Sequence, residues 1–114
     1  MKQIRNSDYE TAVEAISKLI EVRQWENFHV PHYLVPALQV ECSELMDCCL
    51  WHSSEEIDKM FTEKDPAIVS ELADVAINLL SILKFCDLDI NAIVVEKISE
   101  LLNRYSNLEP GAHK

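Results

Sequence analysis

The sequence predicts an all-α fold, a helical bundle of four main helices plus a short connecting helix, completed by oligomerisation. Three observations lead there. Apolar residues recur at helical spacing along most of the chain, and no strand-like alternation of useful strength appears. One Gly and four Pro among 114 residues leave few interruptions. The stretch Ala67 to Cys86, AIVSELADVAINLLSILKFC, is apolar on every side and carries charge only at Glu71, Asp74 and Lys84. A helix of that kind is normally buried, and the remaining helices of so short a chain cannot cover it, so further copies should. Its longest uncharged run, Val75 to Leu83, is too short for a membrane span. The chain is read as one domain, residues 1–114.

The elements follow in order. Ser7-Asp-Tyr-Glu10 has the S-x-x-E form of a capping box. Tyr9, Ala12, Val13, Ile16, Leu19 and Ile20 then mark one face of a helix ending near Arg23. Trp25 to His32 interrupts, and the residues before Pro31 should be extended. A second helix is expected from Tyr33, which would leave Pro36 within the first turn, where its missing N–H is harmless. It should run to about Trp51. Ser53 or Ser54, followed by Glu55 and Glu56, can cap a short third helix over Ile57 to Phe61. Asp65-Pro66 is a strong start signal for the central helix. Asp87 to Asp89 ends it and caps a last helix, Ile90 to Tyr105.

A net charge of −10 argues against binding a nucleic-acid polymer through its phosphates, though not against a nucleotide whose charge a metal offsets. Cys42, Cys48, Cys49 and Cys86 lack the spacing of a zinc site or a disulfide scaffold. They read as small core residues of a reducing compartment. The segment MKQIRNSDYE is charged where a signal peptide needs an apolar region. The cytoplasm is the expected location, with no membrane partner.

Two pairs of carboxylates sit in the wrong place for an ordinary amphipathic helix. At about 100° per residue, Glu71 and Asp74 share a face with Ala67, Val75, Asn78 and Ile82. Glu41 and Glu44 likewise lie beside Leu34, Ala37, Leu45 and Cys48. Acidic groups on apolar faces are costly unless paired, and a shared cation satisfies both helices. Oxygen-only donors select a hard ion, Mg²⁺ with Mn²⁺ as a substitute. The competing reading leaves the pairs structural, satisfied by Lys84, Lys97 or Arg104, in a non-catalytic dimerisation or adaptor module. Lys97 and Arg104 fall on one side of the last helix and could hold phosphate oxygens, or simply complement the helix C-terminus. Trp25, Phe28, His29 and Trp51 flank the second helix and could form a slot for a base, or belong to the core.

Taken together, Trp25-Glu-x-Phe28-His29-x-Pro31, Ala37-Leu38-x-x-Glu41-x-x-Glu44-Leu45, Leu50-Trp51, Glu71-Leu72-x-Asp74-Val75, Lys97 and Arg104-Tyr105 resemble the all-α nucleoside triphosphate pyrophosphatases, in particular the MazG-like and dCTP pyrophosphatase branch. The resemblance implies cleavage of a (deoxy)nucleoside triphosphate between its α and β phosphates, giving monophosphate and pyrophosphate in nucleotide-pool house-cleaning. It implies Mg²⁺ held by Glu41, Glu44, Glu71 and Asp74, which also carry the catalysis. Lys97, Arg104 and Tyr105 match positions near the triphosphate, and Trp25, His29 and Trp51 positions near the base. Paired subunits, as a homodimer or a dimer-of-dimers tetramer, are expected to build the site. Asn78, counted among the substrate-binding positions, stands where the dCTP branch has Tyr. Leu101 replaces an Asn and Ile16 a His near the base. Selectivity broader than dCTP alone is therefore expected.

Overall fold

A computed structural model describes residues 6–111, with side chains from Thr11 onward. The expected Ser7–Glu10 capping contact lies outside the described side chains. Five α-helices and one 3₁₀ turn follow one another, and no strand is present among the described residues. They are α1 (Asn6–Arg23), the 3₁₀ turn (Glu26–Phe28), α2 (Pro31–Cys49), α3 (Ser54–Thr62), α4 (Pro66–Phe85) and α5 (Ile90–Arg104). The all-α expectation holds.

Local chemistry explains the boundaries. Ser53 caps α3 in a reciprocal box: its hydroxyl accepts from the Glu56 N–H at 3.2 Å while the Glu56 carboxylate accepts from the Ser53 N–H at 2.9 Å. Asp65 caps α4 by accepting from the Ala67 N–H at 2.9 Å, with Pro66 at the first helical position. Asp89 caps α5 through the Asn91 N–H at 2.8 Å.

The second helix departs from expectation at both ends. It begins at Pro31 rather than Tyr33, because Val30 is extended (φ −126°, ψ 155°) and the ring of Pro31 already holds a helical φ. Pro36 thus sits inside the helix. The helix stops at Cys49, before Trp51, because Leu50 is extended and Trp51 adopts φ 68°. Gln24, Lys64 and Asp87 take the same left-handed conformation just after α1, α3 and α4. That position is usually filled by Gly, which this chain does not have there.

α4 is the organising element. Its whole length and apolar composition, unlike its longest uncharged run, meet the requirement for a membrane span, alone among the described residues, a departure from the expectation. It packs along α2 more extensively than any other pair of elements packs, and next most on α1. Ile16 and Ile20 of α1 meet Leu80 and Leu83 of α4 in a small core, with Ala12, Ile90 and Ile93 against it. Leu34 and Ile68 are buried separately. Ser81 is buried too and donates to the Ile77 carbonyl at 2.7 Å. Cys42 and Cys86 are exposed and Cys48 and Cys49 half-buried, all four as free thiols, so the expectation of core cysteines fails for the first two.

The core stays small. Val40 and Met46 on α2, and Val95 and Leu102 on α5, are all more than half exposed. The radius of gyration is 17.1 Å, against about 13 Å for a compact chain of this length. A single copy leaves much of its apolar surface uncovered.

A candidate metal centre between α2 and α4

The α2–α4 contact brings together carboxylates that lie far apart in the chain. Oxygens of Glu41 and Glu44, one turn apart on α2, and of Glu71 on α4 all lie within 4.8 Å of one another. Glu41 and Glu71 are half-buried, Glu44 exposed. One oxygen of Glu41 and one of Glu71 are fully shielded from solvent with no hydrogen-bond partner. Asp74, half-buried one turn beyond Glu71, lies outside this tight group but close enough for its charge to act on both.

No Lys, Arg or His among the described residues pairs with any of the four. The cations that could have satisfied them are engaged elsewhere: Lys97 and Arg104 both bond Glu100 on their own helix. Lys84 lines a cavity of about 450 Å³ between α1, α4 and α5. Three converging carboxylates without a counter-charge, two of them with orphaned shielded oxygens, fit a hard divalent cation. The cluster offers only oxygen donors. Cys48 nearby does not change that: burial and then the charge of Glu71 push its thiol up, keeping it protonated.

The crowding has an electrostatic signature. Burial raises the Glu41 carboxyl above the usual range, reinforced by the hydrogen bond its protonated form gives Glu44 and by the charges of Glu44, Asp74 and Glu71. Burial likewise raises Glu71, helped by the charge of Glu44. Outside the cluster, hydrogen bonds from the Ser53 backbone and hydroxyl lower Glu56.

The substrate positions expected from the sequence are only partly gathered. Trp25 and His29, at either end of the 3₁₀ turn, stack with ring centroids 6.3 Å apart and planes within 7°. The Nδ1 atom of His29 is shielded and without a partner. Trp51, by contrast, is 99% exposed and makes no ring contact among the described residues. Asn78 donates its Nδ2 to the Asp74 carbonyl at 2.9 Å, leaving Oδ1 to accept. The Arg104 guanidinium lies 5.9 Å from the Tyr105 ring centre. Ile16 is 6% exposed and belongs to the core with Ile20, Leu80 and Leu83. Glu100 escaped the sequence reading, although its spacing from Lys97 and Arg104 was visible there.

The raised carboxyls set a pH dependence with a definite sign. Between the ordinary carboxylate pKa and the raised folded values, Glu41 and Glu71 bind protons more readily in the folded, metal-free protein than in the unfolded chain. Their contribution to stability is full below the ordinary carboxylate pKa and is lost as pH rises through the raised folded values. Glu56 works oppositely, losing its contribution as pH falls through its lowered value. Melting in EDTA across this range should therefore give a difference curve between wild type and Glu71→Gln that shifts in favour of the variant as pH rises. A flat difference would mean that Glu71 is not crowded.

No protein-family profile matches the chain. Over 85 residues, 73% of its length, it is 33% identical to dCTP pyrophosphatase 1 of Rattus norvegicus and of Mus musculus, and 32% identical to that of Homo sapiens. It spans about half the length of these relatives, 50% in each case. The crystal structure of a pyrophosphatase from Archaeoglobus fulgidus superposes with a TM-score of 0.78 over 92% of this chain and 96% of that one, at 22% identity, showing a shared fold. The sequence similarity and the shared fold together support the resemblance to the all-α nucleoside triphosphate pyrophosphatases.

Proposed function

We propose that the chain is a Mg²⁺-dependent nucleoside triphosphate pyrophosphohydrolase that converts a (d)NTP to the monophosphate and pyrophosphate. The observation that carries this reading is the Glu41–Glu44–Glu71 convergence without a counter-cation among the described residues. The relatives named dCTP pyrophosphatase support it. Glu41, Glu44 and Glu71 would hold the metal, with Asp74 completing the set. When bound, the ion would offset the triphosphate's charge, polarise the α-phosphate and acidify a water. A carboxylate left free of the ion would accept that water's proton as it attacks phosphorus. Lys97 and Arg104 would take phosphate charge, and the Trp25–His29 stack would receive the base. The acidity of the whole chain fits a site that admits its anionic substrate as a metal complex.

The uncovered apolar faces favour paired copies, as a homodimer or a dimer of dimers. An obligate pair has no stable folded monomer. Sedimentation at micromolar concentration should find dimers or larger; a compact, folded 13.1 kDa species would contradict this.

Activity is tested by pyrophosphate release from a panel of deoxynucleoside triphosphates with Mg²⁺. Several should be turned over, since Asn78, Leu101 and Ile16 depart from the cytosine-reading pattern. A preference for dCTP above about a hundredfold would overturn that breadth; single-site discrimination of such size needs dedicated polar readout. Glu44→Gln should lower the rate by about 100-fold or more, because even outer partners of metal ligands cost about 10–100-fold. In EDTA it should melt no lower than wild type, since it relieves like-charge crowding. A variant less stable in EDTA, beside a wild type indifferent to Mg²⁺, would assign Glu44 a structural role.

A further inference from the structure

α5 carries an anion seated between two of its cations. Lys97 and Arg104 are two turns apart, about 10 Å along the axis, yet both reach the same carboxylate oxygen of Glu100. The Arg104 Nη2 donates to Oε1 at 2.7 Å and the Lys97 Nζ donates to it at 3.4 Å. Each pair alone is an ordinary exposed contact, with the three side chains 50–57% exposed, and such contacts are individually weak. Their convergence on one oxygen is the informative feature. It draws two long, flexible side chains to a common point and neutralises half of their charge.

We propose that Glu100 is a built-in competitor of the substrate's phosphates: its carboxylate occupies the place between Lys97 and Arg104 that a phosphate oxygen of a polyphosphate takes. The inference rests on the reading of this chain as a triphosphate hydrolase, and gives that site a regulator of affinity. A polyphosphate carries several charges to the carboxylate's one, so it displaces Glu100, while a monophosphate product competes less well. By occupying the two cations, Glu100 weakens by the same factor every ligand that must displace it, substrate and product alike. Glu100 acts through the two cations and is a positioning residue.

The test is Glu100→Gln, which keeps the shape and removes the charge, with Glu96→Gln as a control that changes net charge equally. Glu96 also lies on α5 and makes no ion pair with Lys97 or Arg104 among the described residues. Binding of inorganic tripolyphosphate, followed by calorimetry with Mg²⁺, should tighten about three- to tenfold in Glu100→Gln, the range set by release of a weak pair and of one like charge. Glu96→Gln should change it less than twofold. In an Arg104→Ala background the gain from Glu100→Gln should fall by at least half, as a coupled pair requires. In turnover, Glu100→Gln should lower KM and leave kcat within about twofold. Unchanged or weaker binding, an equal effect of Glu96→Gln, or a gain that survives Arg104→Ala would each overturn the proposal. Because tripolyphosphate binding is read without catalysis, a wild type that binds it but hydrolyses no nucleotide would sink the enzymatic reading and still decide this one.

Discussion

The repulsion among Glu41, Glu44 and Glu71 is the constraint around which the rest of the structure is arranged. Their positions follow from the α2–α4 packing, the most extensive in the molecule, which itself follows from apolar residues on the same faces as the acids. The hydrophobic contact therefore holds together groups that electrostatics pushes apart. Burial first, and then the neighbouring carboxylate charges, raise Glu41 and Glu71, so the metal-free site favours the protonated forms more than a free carboxyl does. A divalent ion would be the remedy, supplying charge and ligand-seeking geometry to oxygens that have no other partner. Stability spent on holding the acids together becomes affinity for the ion when it binds only the folded state.

A second constraint is the apolar surface that the described residues leave exposed. α4 is apolar around its circumference, but α2 and α1 cover only parts of it. Trp51 shows the same tension at the level of one residue. A bulky aromatic in a left-handed conformation is unfavourable, and here it brings no burial in return. Such a conformation makes physical sense where a ligand or another subunit receives the ring.

Much of this was legible in the sequence because the signals were local. Asp65-Pro66 and the Ser53–Glu56 box act within a few residues, and both appear in place. The inward-facing carboxylates were readable because helical periodicity alone puts them on apolar faces. What escaped depended on competing local choices or on surroundings. The start of α2 was misplaced because the φ preference of Pro31 outweighed the cost of Pro36 inside the helix. Its end was misplaced because a chain with Gly only at position 111 ends its helices on Gln24, Trp51, Lys64 and Asp87, none of which advertises a left-handed turn. The exposure of Cys42 and Cys86 was hidden for a different reason. Apolar runs indicate what wants to be covered, whereas a single copy does not cover it all.

The central claim is that the α2–α4 carboxylates form a binding site for a hard divalent cation, and calorimetric titration with Mn²⁺ or Mg²⁺ across the carboxylate range tests it most directly. Run in buffers of different ionisation enthalpy, it should report saturable binding accompanied by proton release at the acidic end, because the cation favours the ionised form of carboxyls whose affinity for protons is raised. Proton release should diminish as pH rises. Absence of saturable binding, or binding with no proton release at any pH in the carboxylate range, would contradict the account.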